Sequence, residues 1–233
     1  MENRLSMENK MKIIAHIHTD FPGKFGIPRQ SGLVEELKGK IVFEPEFRNP
    51  DAVRGLEEFS HVWLLWQFSE NHRENWEPTV RPPRLGGNKR LGVFATRSPF
   101  RPNDIGLSCV RLEKIETDRK LGAVLTVQGA DLMDGTPIYD IKPYIPFTDC
   151  HPEASEGYTR ETKTYKLEVN FPSELLGKFP PEKQKAVTGV LAQDPRPAYI
   201  QDAERIYGVS FAGFDVRFQV EGEVLTVCDV IAL

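Results

Sequence analysis

Six basic residues, Arg81, Arg84, Lys89, Arg90, Arg97 and Arg101, fall between positions 78 and 103, in a window that holds no Asp or Glu. The whole chain carries a net −4, so the +6 of this window leaves −10 for everything else. Arginine forks grip carboxylate and phosphate oxygens bidentately, and the flanking Pro and Gly residues stiffen the backbone that presents them. A local positive excess also concentrates a polyanion around an otherwise acidic protein. The same composition suits a solubilising loop paired with acids elsewhere in the fold. Arg97 stands apart, because it ends the apolar run "GVFAT" (92–96) and precedes Ser98-Pro99-Phe100. Its guanidinium is expected to point into a pocket.

Three further stretches combine stiff backbone with directed polar groups. In "GIPRQSGLV" (26–34), Pro28 fixes the chain, Arg29 and Gln30 offer donors, and Ser31-Gly32 makes a turn that faces backbone amides outward. In "DLMDGTPIYDIKPYIPF" (131–147), Asp134-Gly135-Thr136-Pro137 is a turn by composition, followed by Tyr139, Asp140, Lys142, Tyr144 and Phe147. An aromatic, proline-stiffened loop beside such a turn can stack on and hydrogen-bond a base, although the tetrapeptide alone is simply a good turn. In "LAQDPRPAYI" (191–200), prolines on both sides of Arg196 stop a helix and hold Asp194, Arg196 and Tyr199 in an extended display.

Other chemistries lack their signatures: there is no dinucleotide-binding glycine motif, P-loop, zinc-protease helix or nucleophile elbow. His16 and His18 alternate on a strand, where a half-exposed histidine pair is a better reading than a metal site. Cys109, Cys150 and Cys228 are widely spaced and form neither a disulfide framework nor a zinc pattern, as expected of reduced thiols in a cytoplasmic protein. No run approaches the roughly 20 apolar residues of a membrane helix, and the polar N-terminus lacks the apolar core of a secretory signal.

The elements that must position these residues read mainly as strands. The runs 11–19, 40–44, 61–68, 92–96, 107–115 and 123–130 are short, rich in β-branched or aromatic residues, and separated by turn formers. One short helix fits over "AVRGLEEF" (52–59), where Val53, Leu56 and Phe59 recur at helical spacing. Many short strands with a single helix predict a barrel or sandwich. A polar linker over 149–160 then leads to a small α+β unit. This unit has a strand at 164–171, a helical region from Ser173 to Ala192 interrupted by Pro180-Pro181, and a hairpin of 214–220 with 223–232.

The ordered segments "IPRQSGL", "AVRGLEEFSHVWLLWQF", "TVRPPRLGGNKRLGVFATRSPFRPNDIGLS", "MDGTPIYDIKPYIPF" and "VLAQDPRPAY" closely resemble those of the TrmO (TsaA-like or YaeB-like) family. Members of that family methylate N6-threonylcarbamoyladenosine beside the tRNA anticodon. The resemblance implies a mainly β fold: a small single-sheet β-barrel over 11–150, unlike Rossmann methyltransferases, which binds S-adenosylmethionine and carries catalysis. It also implies a small α+β domain over 160–233 that helps hold tRNA, a homodimer with the cofactor near the subunit interface, and neither membrane nor DNA as partner. Carried over by position, the cofactor site comprises Pro28, Arg29, Gln30, Ser69, Glu70, Arg97, Leu107, Asp134, Gly135, Thr136 and Pro137. Two positions depart from the family pattern. Ser69-Glu70 stand where some relatives carry a His, and Asp104 replaces the second Pro of R-P-N-P-I-G.

Methyl transfer from a sulfonium needs alignment and exclusion of water more than protein functional groups. Asp140, Tyr139 or Tyr144 could assist loss of the poorly nucleophilic N6 proton. Arg81, Arg84, Lys89, Arg90 and Arg101, with Asp194, Arg196 and Tyr199, are the expected contacts to the anticodon arm or the threonyl carboxylate. Two alternatives remain at this level: a non-catalytic RNA-binding barrel, and a small-molecule methyltransferase.

Overall fold

A computed structural model of the chain describes residues 11–70, 76–82, 89–161, 163–196 and 202–233. Its first half builds a closed antiparallel barrel from six strands: β1 (Ala15–His18), β2 (Lys38–Phe43), β3 (His61–Gln67), β6 (Ile105–Asp118), β7 (Gly122–Gln128) and β8 (Thr136–Pro143). They close in the order β1-β2-β7-β6-β3-β8. The interior follows from alternation. Val62, Leu64 and Trp66 of β3 point inward, as do Ala15 and Ile17 of β1 and Val110 and Leu112 of β6, whereas their neighbours face out. Each Val, Leu or Ile side chain so taken from water contributes about 1.5–3 kcal/mol.

Several expectations are adjusted. The run 92–96 is not a strand of the barrel. Only Leu91–Gly92 (β5) pairs, with Thr79–Val80 (β4), and Val93–Ala95 coils into a 3₁₀ turn. The helix expected over 52–59 is instead two 3₁₀ turns, Pro50–Val53 and Leu56–Glu58. Gly55, at φ 85°, separates them by taking a left-handed conformation that an α-helix cannot continue through. The stretch after Asp134-Gly135, expected as a loop, is the barrel strand β8, so Pro137 and Pro143 sit within its span.

The second half is a four-stranded sheet in the order β10 (Tyr207–Phe211), β11 (Phe214–Glu221), β12 (Val224–Ala232), β9 (Glu168–Asn170). Between barrel and sheet runs the short helix α1 (Pro146–Asp149), and Ser173–Leu176 (α2) and Pro181–Ala192 (α3) follow β9. The hairpin β11–β12 forms as the sequence predicts, but its two-residue turn is Gly222-Glu223, with Glu221 paired to Val224, one residue later than the expected 221–222; β10 was not anticipated.

The core of this second unit does not stop at the linker. Phe21, Val34 and Leu37, from the segment joining β1 to β2, are buried in it with Val187, Val190, Phe211 and Phe218. The Phe21 and Phe211 rings meet edge to face at 5.2 Å. Asp20 accepts the Ala212 amide at 2.9 Å through its carbonyl and forms an ion pair with Lys183. The β1–β2 segment is therefore clamped between the barrel and the C-terminal sheet.

Candidate functional site

Strand direction decides which loops meet. β1, β3 and β7 end, and β2, β6 and β8 begin, at the same end of the barrel. The segments 19–37, 68–104 and 129–135 all leave from that end. They carry "GIPRQSGLV", the basic window and "DLMDGTP", so three motifs far apart in sequence share one rim.

On that rim Arg97 donates from Nη1 to Oε1 of Gln30 at 2.5 Å. Pro28 is buried beneath this loop, while Arg29 is exposed. Gln30 in turn donates from Nε2 to the Arg29 carbonyl. Asp131 joins the cluster from the third segment. Its Oδ1 accepts the Ser108 hydroxyl at 2.6 Å, and Ser108 Oγ accepts the indole N–H of Trp66 at 3.0 Å from inside the barrel. Burial pushes the Asp131 carboxyl up to about 6, against the opposing pull of Ser108, its own amide, the nearby Arg97 charge and the Ser31 amide. Sequence reasoning missed Asp131. Its only signal was an acid immediately after an apolar strand, and the residues that perturb it come from distant segments.

Asp134-Gly135-Thr136-Pro137 forms the expected turn and caps the end of β1. Oδ1 of Asp134 accepts the Thr19 amide at 3.0 Å and lies 3.3 Å from His18 Nδ1, and the Asp134 and Gly135 amides donate to the Phe21 and Ile17 carbonyls. Gly135 sits at φ 75° with nothing within 4 Å of where a Cβ would stand, leaving the tip open to close approach. Thr136 bonds back to the Met133 carbonyl at 2.7 Å, so its hydroxyl serves the turn. His16 lies 2.8 Å from Glu44, and the described residues contain no cluster able to hold a metal.

Leu107, Leu65 and Asp140 are neighbours across β6, β3 and β8 on the outer wall, and Leu107 is 48% exposed. Asp140 is held there by Lys142 at 2.8 Å and by the Ile141 amide at 2.9 Å. Tyr139 occupies the bulge where the β3–β8 register shifts between Leu65 and Trp66. Burial, and secondarily the Asp104 carboxylate, push its phenol up, which gives the departing Asp104 a neighbour. Ser69 and Glu70 follow the end of β3 at the rim and are exposed.

The structure separates two sets of residues from this site. Tyr144 lies past the far end of β8, about 25 Å of strand from Thr136, where its amide donates to the His61 carbonyl and its ring lies against Trp63. A catalytic role beside Arg97 in the same chain has no geometric basis. Asp194 and Arg196 are not displayed outward either. Nε and Nη2 of Arg196 grip the two carboxylate oxygens of Asp194 at 2.8 and 2.9 Å, Tyr165 donates to Oδ2 at 2.9 Å, and Asp194 takes φ 54°. Burial opposes ionisation of Asp194, but these bonds outweigh it and hold the carboxyl low. Asp194 and Arg196 thus form a fork-to-fork clasp with both side chains mostly covered. Arg196→Ala is expected to cost about 2–3 kcal/mol by stranding Asp194, a fall of roughly 5–10 °C in Tm by calorimetry. Arg101 is also partly committed, donating from Nη1 to the Thr96 and Val93 carbonyls at 2.7 and 3.2 Å. Arg84 and Tyr199 lie outside the described residues.

The family model for the N-terminal domain of tRNA-methyltransferase O matches residues 16–150, and that for the TrmO C-terminal domain matches 164–233. The chain belongs to the TrmO family. The tRNA (adenine(37)-N6)-methyltransferase of Escherichia coli strain K12 is 44% identical over 215 residues, covering 89% of this chain and 91% of that one. A protein of Pseudomonas aeruginosa strain PAO1 named as a putative S-adenosylmethionine-dependent methyltransferase, RcsF, is 39% identical over 233 residues, covering 96% and 98%. The crystal structure of TrmO from Pseudomonas aeruginosa superposes with a TM-score of 0.77 at 33% identity, covering 97% of this chain and all of that one. The TrmO barrel and its C-terminal unit are therefore both present here.

Proposed function

We propose that this chain is an S-adenosylmethionine-dependent tRNA methyltransferase that transfers a methyl group to N6 of adenosine 37, beside the anticodon. The observation that carries the reading is the rim cluster of Gln30, Arg97 and Asp131, held on a barrel of the TrmO family. The donor set fits the cofactor. An amino-acid zwitterion needs a cation and an anion side by side, and Arg97 with Asp131 supplies them. The exposed tip at Asp134-Gly135 offers a carboxylate and backbone groups for hydroxyl or amine donors, with Thr136 and Pro137 buried behind it at the start of β8. Leu107 offers an exposed apolar surface for adenine. Pro28, Arg29, Ser69 and Glu70 border the same end. When bound, the cofactor supplies an electrophilic methyl group.

The chain's own part is to orient and to manage one proton. Tyr139 keeps its proton at neutral pH, since burial and Asp104 both oppose its ionisation, so it serves as a donor and not a base. Asp140 shares a face with Leu107 and, once it lets go of Lys142, is the group placed to accept the N6 proton. Asp140→Asn is expected to lower kcat at least ten-fold with little change in cofactor binding. Unchanged turnover and pH profile would remove it from that role.

Residues 11–150 act in this reading as the catalytic domain. Residues 160–233 aid tRNA binding, in part by clamping the segment that carries Gln30. Two copies pair with the exposed Leu107 wall near their interface, working in the cytoplasm. The threonyl carboxylate of the modified base then meets an arginine of the basic window. Incubating tRNA with protein and cofactor, then analysing its nucleosides by mass, tests the reading. A methyl mass increment on threonylcarbamoyladenosine is expected, and its absence, with cofactor bound, would overturn the substrate assignment.

A further inference from the structure

The hairpin β4–β5 brings together two exposed aromatic rings that are far apart in sequence. Trp76 precedes β4 and is 50% exposed; Phe94 follows β5 and is 70% exposed. Their centroids lie 6.1 Å apart with planes 29° from parallel. The arrangement is braced. Val93 is buried beside Phe94, its amide donates to the Pro78 carbonyl at 2.9 Å, and the guanidinium of Arg101 sits 5.6 Å from the Phe94 ring centre. The surroundings are basic: Arg81 and Lys89 are exposed on the two arms of the hairpin, and Arg90 lies 3.6 Å from Glu77. Burying neither ring leaves apolar area in water, which a fold with a full core has no need to do. Flat aromatic faces within a cationic surround match the chemistry of unstacked bases on a phosphate strand.

We infer that Trp76 and Phe94 form a stacking platform for an unpaired nucleotide of the RNA, at the base of the basic hairpin. This rests on the tRNA reading above and adds to it the residues that hold a base while arginines and lysines hold phosphates. The platform gives a division of labour. Arg81 and Lys89 supply salt-sensitive attraction without sequence preference, whereas the rings supply contact that salt does not screen. Stacking a loop base there takes it off its neighbour in the anticodon loop, which lowers the unstacking cost of presenting that neighbour to the pocket.

Tryptophan emission and tRNA kinetics test this together. Trp66 is buried, Trp63 is half-buried with its indole N–H engaged by Asp149 at 2.9 Å, and Trp76 is the most exposed of the three tryptophans, so the Trp76→Leu comparison isolates its share of the emission. Titration with an anticodon stem-loop RNA is expected to quench emission in the native chain and not in Trp76→Leu. Trp76→Leu and Phe94→Leu, which keep apolar bulk without a ring face, should each raise KM for tRNA roughly ten-fold. Cofactor affinity by calorimetry and the salt dependence of tRNA binding should stay as in the native chain. Arg81→Ala should instead flatten the salt dependence. Methyl transfer with unaltered KM in both aromatic variants would overturn the platform while leaving the methyltransferase reading intact. Quenching by RNA without any methyl transfer would do the reverse. A KM rise matched by an equal loss of cofactor affinity would also overturn it, by assigning the rings to the rim's architecture.

Discussion

Arg97→Ala is expected to weaken S-adenosylmethionine binding by roughly 30- to 150-fold, the equivalent of about 2–3 kcal/mol for a charge-assisted contact. The magnitude follows from how the side chain is held. Arg97 is exposed on the rim, but Gln30 pins one end of its fork and the Asp131 carboxylate is close enough to influence it. A preorganised guanidinium loses little entropy when a carboxylate arrives, so its removal costs nearly the full interaction. Arg97→Lys keeps the charge but not the fork, and should recover only part of the loss. Because Arg97 lies outside both hydrophobic cores, Tm should barely move. Calorimetric titration separates these outcomes, and an alanine variant within about two-fold of the native Kd would exclude Arg97 from the cofactor site.

Asp131→Asn should change stability and function in opposite directions. The folded-state pKa of Asp131 is raised, from 3.8 to about 6, by burial. An acid raised in this way favours the folded state most below pH 4, and that contribution is lost as pH rises through 6. At neutral pH the ionised carboxylate is therefore a cost to folding. Asparagine keeps an oxygen to accept the Ser108 hydroxyl but carries no charge, so the variant should gain on the order of 1–2 kcal/mol at pH 7.5. That amounts to a rise of roughly 3–6 °C in Tm. Cofactor binding should fall at least ten-fold, since the anion beside Arg97 is gone. Native affinity should climb between pH 5 and 7 as Asp131 ionises, and the variant's profile should be flat. A variant that is less stable than the native chain, yet binds cofactor normally, would make Asp131 a structural residue only.

These two residues differ in how visible they are in the sequence. Arg97 is conspicuous because it ends an apolar run within an acid-free basic window. Asp131 is one acid among many until the barrel places Ser108 behind it and Arg97 beside it. Asp194 and Arg196 show the opposite failure. Prolines on both sides of an arginine look like a display, but a left-handed residue at 194 turns the carboxylate back onto the guanidinium two residues on. The difference between an offered charge and a satisfied one lies in a single backbone angle, which composition does not encode. Tyr144 was grouped with Asp140 by proximity along the chain, yet a strand carries neighbours apart at more than 3 Å per residue.

By itself the sequence determined five of the barrel's six strands, the closing hairpin and the family, because alternation, turn residues and ordered motifs are local and survive without coordinates; it read the proline-rich sixth, β8, as a loop. It also determined that the basic charge is concentrated in one window. Only the tertiary structure decided that the three motif-bearing segments leave the same end of the barrel, a consequence of strand pairing order that no single segment contains. It likewise decided that Trp76 and Phe94 meet. Two exposed rings on either side of a hairpin become a surface only when β4 and β5 pair, and pairing is a long-range event.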